Sequence, residues 1–248
     1  MGTEKSFGKE HVPNWSSPIS TVGRGKMPSN MQKMASYKSQ IEKIGTPISK
    51  EVYSKLSSYA EANNILLSGF KDFVGDIGVI KQVIDDIVVI ARDFPLITSG
   101  KTAIELKLDY DMGTDFATTK GRHIIHLNAV YYSDLNILNA DYTEGVVEGR
   151  FVSNTDWHSV IKHEVGHVVA NIYHLNPMEI AKEVLQMDHE IQVLEYLTDD
   201  LSLYSTEFED GREIISEAFS GYYGKAGNEF ADKYVNRCIQ ITREGGTR

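Results

Sequence analysis

The sequence HEVGH at residues 163–167 constrains this chain more than any other feature. It lies in a stretch without proline, from Asn154 to Leu175, that can form one continuous helix. Valine and isoleucine residues on both sides of it indicate a helix with a buried face. Positions four residues apart lie on one face of a helix, so the imidazoles of His163 and His167 can bind the same ion. Two such histidines are typical ligands of a tetrahedral Zn²⁺ ion. The motif therefore predicts a metal-binding helix.

Glu164 directly follows the first of these histidines. On the predicted helix its carboxylate faces the open coordination position of the metal. From there a carboxylate can take a proton from the attacking water and later return it to a leaving amine. We therefore expect Glu164 to be the general base of a hydrolytic centre that uses Zn²⁺ as its cofactor.

A third ligand must come from elsewhere, because catalytic zinc sites keep three protein ligands and one open position. The longer motif HExxHxxGxxH is absent, because Ala170 stands at its glycine position and Tyr173 at its third histidine position. His174 comes one residue later and lies on the wrong side of the helix. Glu213 and Glu217, four residues apart among isoleucine and phenylalanine residues, share one face of a later predicted helix. A buried carboxylate needs a partner. One of the two can bind the ion while the other accepts a hydrogen bond from a ligand histidine.

The remaining histidines and a pair of tyrosines are expected to be structural. His123 and His126 fall on opposite faces of a predicted strand, so both cannot point at one metal. His158 lies ~140° around the helix from the first ligand histidine. Tyr222 and Tyr223 are expected to contribute to packing. The acidic groups at residues 199–200 and 207–210 are expected to be solvated.

Two segments together carry a resemblance to known proteins. HEVGH, followed by the pattern Tyr-x₈-Glu-x₃-Glu-Ala-Phe at residues 204–219, resembles the catalytic domain of anthrax lethal factor and its relatives, a gluzincin-type branch of zinc peptidases. The sequence SEAFSGYY at residues 216–223 is also similar to metallopeptidase-like domains in phage minor head proteins and bacterial toxin cassettes. The resemblance covers roughly residues 100–243.

The resemblance assigns roles to residues beyond the histidines. It implies that Glu213 is the metal ligand and that Glu217 supports the site without binding the ion. It also implies that Tyr204 stabilises the oxyanion that develops during peptide hydrolysis, with Tyr223 as the alternative for this role.

The first hundred residues are predicted to be helical after an irregular start. Residues 1–27 contain few aliphatic side chains and predict an extended or disordered lead-in. Residues 28–97 form a helical N-terminal region, in which apolar periodicity predicts helices over 29–44, 49–67 and 77–91.

Strands and further helices are predicted after this region. Alternating apolar and polar residues predict a strand over 103–110, and a second strand is expected over 122–130. Residues 133–152 are expected to form a loop. Helices follow from Asn154 almost to the end of the chain, with Asn154 or Thr155 as the first cap.

These elements predict an α+β domain over residues 98–248. The resemblance implies a zincin-like metallopeptidase fold, in which a small twisted sheet packs on the active-site helix and later helices close the structure. Such a domain needs a strand edge at which an extended peptide can pair. The strand over 122–130 is expected to provide that edge.

Composition excludes several other classes of protein. The chain of 248 residues carries 35 acidic and 25 basic side chains, a net charge of −10, which argues against binding duplex nucleic acid. Its one cysteine, Cys238, excludes an intrachain disulfide and a cysteine-based zinc site. No apolar run approaches the ~18 residues of a membrane-spanning helix. The start of the chain lacks the apolar stretch of a secretory signal, so we expect cytoplasmic synthesis; signal-independent export or association with a virion stays open.

The sequence therefore predicts a zinc metalloendopeptidase that hydrolyses peptide or protein substrates. The alternative is a structural or assembly component of a phage head or toxin cassette that carries a zincin-like domain. In either case the N-terminal helices could dock an assembly or delivery partner. A zinc-stabilised binding domain without turnover is disfavoured, because a purely structural site is closed by four protein ligands.

Overall fold

A computed structural model of the protein describes residues 35–39, 45–208 and 210–245. Over these residues the chain is α+β, mostly helical with a small four-stranded mixed sheet, which confirms the predicted class. Residues 35–39 are helical, within the helix predicted over 29–44. The rest of that helix and the lead-in at residues 1–27 lie outside the described residues. No helix in the described ranges is both long and apolar enough to cross a membrane.

The elements of the described residues are as follows. The α-helices are α1 (Lys50–Ala62), α2 (Ile77–Ala91), α3 (Ala129–Ser133), α4 (Leu135–Val147), α5 (His158–Tyr173), α6 (Pro177–Leu185), α7 (Glu190–Asp200), α8 (Arg212–Gly224) and α9 (Glu229–Arg243). The strands are β1 (Leu66–Ser68), β2 (Glu105–Asp109), β3 (Ala117–Lys120) and β4 (Ile124–Asn128). Short 3-10 helices span Phe70–Asp72, Pro95–Thr98, Gly100–Thr102 and Tyr204–Thr206.

The sheet has the strand order β1-β2-β4-β3. Strands β1, β2 and β4 are parallel, and β3 runs antiparallel to β4. Leu106 and Leu108 of β2 are buried on one face while Lys107 between them is exposed, as the predicted alternation requires. Ile125 and Leu127 of β4 pair with them in register and are also buried. Helix α5 contacts β3 and β4, so the helix that carries HEVGH lies against the sheet.

The predicted strand edge is wrong. Strand β4, which corresponds to the strand predicted over 122–130, lies inside the sheet between β2 and β3. The outer strand beside α5 is β3, in a segment predicted to be a loop. Its sequence, Ala-Thr-Thr-Lys, is short and polar and carries no apolar alternation. Antiparallel pairing with β4 therefore makes it a strand, and that pairing is a tertiary contact.

The helix predicted over 49–67 is confirmed only in part. Ser49 caps α1 by accepting a hydrogen bond from the backbone N–H of Val52, but α1 ends at Ala62. Asn64 has a positive φ of 55°, and the chain then continues as β1 instead of as helix. Strand β1 forms because it pairs in parallel with β2, nearly forty residues later in the chain. In contrast, the helix predicted over 77–91 is confirmed as α2.

The loop predicted over 133–152 is also wrong, because it contains helix α4. Asp134 caps this helix by accepting a hydrogen bond from the backbone N–H of Asn136. Its buried residues are Leu138, Tyr142 and Gly145, a stripe too narrow to give a clear helical period.

Helix α5 begins later than predicted. Neither Asn154 nor Thr155 caps it: Asn154 adopts a positive φ of 59°, and the Thr155 hydroxyl donates to the Val152 carbonyl. The helix starts at His158, whose backbone N–H donates to the Asp156 carboxylate. The histidine motif thus begins in the second turn of the helix.

One hydrophobic core joins the two predicted regions. The buried residues of a single cluster extend from Leu56 in α1 to Ile239 in α9. The sheet likewise includes β1 from the N-terminal region. The division of the chain near residue 98 stays a prediction.

Helices α5 and α8 pack very closely at Gly166, which lies between the two histidines of the motif. A Cβ atom at this position would come within 2.8 Å of the Ser216 Cα and 3.2 Å of the Ile215 carbonyl oxygen. Both neighbours belong to the backbone of α8, so a side-chain rotation cannot relieve the overlap. Glycine therefore sets the short distance between the histidine helix and the glutamate helix.

We predict that Gly166→Ala lowers the free energy of unfolding by about 1–3 kcal/mol, the usual range for overpacking a well-packed core. In an exposed helix the same change would raise stability by about 1 kcal/mol, so the sign of the effect is informative. Urea unfolding followed by circular dichroism measures it. Ser58→Ala, at an exposed position of α1, is the control and should not destabilise the protein. A Gly166→Ala variant as stable as the wild type would contradict the packing argument.

Candidate metal centre

Two histidines of α5 and one glutamate of α8 converge on one point. One ligand atom from each of His163, His167 and Glu213 lies within 4.8 Å of the other two. The Glu213 Oε2 atom is 3.2 Å from His163 Nε2 and 3.1 Å from His167 Nε2. Two ligand atoms of a tetrahedral Zn²⁺ ion lie about 3.3 Å apart, given metal–ligand distances of about 2.0–2.1 Å. The spacing of the three side chains therefore fits a single zinc ion.

The hydrogen bonding of the Glu213 carboxylate supports the same conclusion. Its Oε2 atom is buried and has no hydrogen-bond partner among the described residues, although two imidazole nitrogens lie near it. Buried polar atoms in native proteins nearly always have a partner, and one without any needs an explanation. A cation between the three side chains would provide it.

The charges around the centre favour a cation. Burial lowers the pKa of His163, but contacts with Glu213 and Glu217 outweigh burial and raise that pKa well above its usual value. Burial raises the pKa of Glu213, but the facing imidazoles of His163 and His167 outweigh it and lower the pKa to about 2. The carboxylates thus stabilise positive charge at this point, whether a proton or a metal ion carries it.

Glu217 lies behind His163, one helical turn from Glu213. Its Oε1 atom is 2.8 Å from His163 Nδ1, and its side chain is almost fully buried. An ionised carboxylate only accepts hydrogen bonds, so His163 Nδ1 donates to Glu217, and Nε2 is the nitrogen that faces the Glu213 carboxylate. The structure therefore places Glu213 in the cluster with both histidines and Glu217 against the opposite nitrogen of His163.

Glu164 is buried beside the cluster and contacts the edge strand of the sheet. The Thr119 hydroxyl, on β3, lies 2.8 Å from Glu164 Oε2 and 3.0 Å from the Glu164 carbonyl oxygen and donates to these acceptors. Sequence reasoning missed Thr119, because β3 itself was predicted to be a loop. This contact ties the Glu164 side chain to the edge strand β3.

Tyr204 lies at the start of the 3-10 helix Tyr204–Thr206, close to the cluster. Its ring centroid is 5.5 Å from that of His163 and 6.3 Å from that of Phe151. Burial, followed by the negative charges of Glu213 and Glu207, raises the pKa of Tyr204 far above its usual value. The phenol therefore stays protonated and can donate a hydrogen bond.

Tyr223, the alternative to Tyr204, lies elsewhere. Its hydroxyl donates to the Asp93 carboxylate at 3.1 Å, and its ring contacts Phe219 and Tyr222. Tyr222 is half-buried against the same core. Both tyrosines therefore belong to the C-terminal end of α8, and Tyr204 is the tyrosine beside His163.

The histidines at 126, 158 and 174 lie outside the cluster. His158 Nδ1 lies 2.7 Å from Asp86, and His126 Nδ1 lies 2.9 Å from Asp109. His174 ends α5 in a left-handed conformation. Within the described ranges, the one group of ligand atoms close enough to hold a metal excludes all three histidines. Half-buried His123 lies just before β4.

Acidic side chains on the surface behave mostly as expected. Asp199, Asp200, Glu207 and Asp210 are exposed, and Asp210 pairs with Arg212 at 2.6 Å. Residue 209 lies outside the described ranges. Burial, followed by the charges of Glu213 and Asp115, raises the pKa of Glu207.

No family model, curated protein or solved structure matches the chain. The resemblance to the lethal-factor group therefore rests on HEVGH and on the later glutamate segment.

We predict that the two glutamates of α8 differ in their effect on zinc binding. Glu213→Ala should abolish tight binding, because it removes one of three ligand atoms. Glu217→Ala should weaken binding by roughly 10–100-fold, the usual effect of losing a group that orients a ligand. Titration against a chromophoric chelator measures both affinities, and circular dichroism checks the fold. Glu190→Ala, on the exposed face of α7, is the matched control. A larger loss of zinc affinity in Glu217→Ala than in Glu213→Ala would exchange the roles of the two glutamates.

Proposed function

We propose that the protein is a zinc-dependent peptidase of the gluzincin type, with His163, His167 and Glu213 as its metal ligands. The observation that carries the proposal is the convergence of the two imidazole nitrogens on the buried Glu213 Oε2 atom, with Glu164 next to His163 in the motif. Three protein ligands leave one coordination position open, which is typical of catalytic zinc sites. A site with a purely structural role would have a fourth.

Glu164 is the general base of the proposed reaction. A bound zinc ion supplies a Lewis acid that polarises the scissile carbonyl group and makes water nucleophilic at neutral pH. The Glu164 carboxylate accepts the proton of the attacking water and transfers it to the leaving amine. The Thr119 hydroxyl donates to Oε2 of this carboxylate and so restricts its orientation.

Tyr204 is the group that responds to charge developing on the carbonyl oxygen. Its phenol remains protonated and lies on the His163 side of the centre. A donor of this kind acts mainly in the transition state, because the oxyanion accepts a stronger hydrogen bond than the ground-state carbonyl does.

The edge strand β3 is the proposed binding surface for the substrate backbone. One side of β3 pairs with β4, and no other strand of the described residues pairs with its second side. An extended peptide can add to such an edge through main-chain hydrogen bonds. Because Thr119 of this strand contacts Glu164, a peptide paired with β3 would run close to the general base.

We predict that Glu164→Gln retains zinc and fold but lowers peptide turnover by at least ~10²-fold, because the amide cannot accept the proton. Metal analysis should give one zinc per chain for both proteins. Cleavage of a peptide library by the wild type should be lost with a chelator and restored by zinc. Glu190→Gln serves as the surface control. Wild-type protein that carries no zinc when zinc is supplied would end the proposal, and so would a Glu164→Gln variant with wild-type turnover.

We predict that Tyr204→Phe lowers kcat and kcat/KM together by roughly 10²-fold, the low end for losing one oxyanion donor. Zinc content should not change, since the phenol is not a ligand. Tyr223→Phe is the control, because its hydroxyl contacts Asp93 instead of the centre. Unchanged kinetics in Tyr204→Phe combined with a defect in Tyr223→Phe would reverse the assignment.

A further inference from the structure

Ser202 is a buried residue that the proposed chemistry does not use. It follows α7, precedes Tyr204 by two residues and is 4% exposed. Its hydroxyl donates to Glu217 Oε2 at 2.7 Å. The same Oγ atom accepts the backbone N–H of Ser205 at 3.1 Å, which directs its proton toward the glutamate. A single serine thus ties the turn at residues 202–206 to α8.

The contacts form a continuous buried chain from this turn to the metal-binding face of α5. Glu217 accepts from Ser202 through Oε2 and from His163 through Oε1. The turn is further closed by the Ser205 hydroxyl, which donates to the Ser202 carbonyl oxygen at 2.6 Å. Tyr204 belongs to the same turn and has its ring beside His163. The position of the phenol and the orientation of the imidazole therefore depend on one carboxylate.

We propose that Ser202 is a positioning residue that couples metal binding to the order of the Tyr204 turn. The inference rests on the zinc site proposed above. An ion bound by His163 would hold the imidazole in place and so fix the direction of its Nδ1–H bond to Glu217. Glu217 is then held at both oxygens, and the Ser202 hydroxyl gains a fixed acceptor. Coupling between two sites is reciprocal, so the ordered turn must strengthen zinc binding by the same factor.

The first test compares zinc affinities of full-length variants by chelator competition. Ser202→Ala leaves a buried carboxylate oxygen without its donor, so zinc binding should weaken roughly tenfold, the low end for groups that support a ligand. Ser202→Thr keeps the hydroxyl and should restore most of the affinity. Thr206→Val is the matched control. The Thr206 hydroxyl contacts Thr198 on α7 and the Leu203 carbonyl oxygen, and no hydrogen bond joins it to Glu217.

The second test measures hydrogen exchange of the backbone amides at residues 202–206 with and without zinc. In the wild type, zinc should slow this exchange. In Ser202→Ala, zinc should no longer slow it, although exchange in the core of α2 stays unchanged and shows that the variant is folded.

The outcomes separate this inference from the proposed function. Wild-type zinc affinity in Ser202→Ala, or an equal loss in Thr206→Val, would overturn the coupling and leave the peptidase proposal intact. If zinc slows amide hydrogen exchange at residues 202–206 in a wild-type protein that cleaves no peptide, the coupling would be supported and the peptidase proposal overturned. Wild-type protein that binds no zinc would overturn both.

Discussion

The close contact between α5 and α8 at Gly166 is the constraint on which the centre depends. The backbone of α8 approaches this glycine so closely that a single added carbon would overlap the Ser216 Cα. At that separation Glu213 reaches both histidines, and Glu217 reaches the opposite nitrogen of His163. The glycine inside the histidine motif therefore has a packing role, and the two glutamates meet the histidines as a consequence.

Burial of three carboxylates so close together requires a partner for each of them. Glu217 has His163 and Ser202, and Glu164 has Thr119. Among the buried carboxylate oxygens of the described residues, Glu213 Oε2 alone has no hydrogen bond. This difference separates the carboxylate suited to a cation from the two suited to orientation and proton transfer, although all three are acidic side chains next to the same histidines.

Much of the fold was predictable where a long segment carries a clear period. Helix α2 has a wide apolar stripe, and β2 alternates between buried leucines and an exposed lysine. The failures are short or weakly patterned elements: β1 and β3 have three and four residues, and α4 has a narrow apolar stripe. Such elements exist because they pair with or pack against distant parts of the chain, and a local pattern does not contain that information.

The sequence by itself determined that His163 and His167 share a helical face and that Glu213 and Glu217 share another, because the geometry of a helix is local. Only the tertiary structure decided which glutamate reaches both histidines, that β3 is the outer strand beside α5 among the described residues, and that Thr119 and Ser202 contact the acidic groups. A single serine or threonine contributes no periodic pattern and no motif that could be recognised in the sequence. Its role depends on which buried acceptor the packed chain brings within about 3 Å, the usual hydrogen-bond distance.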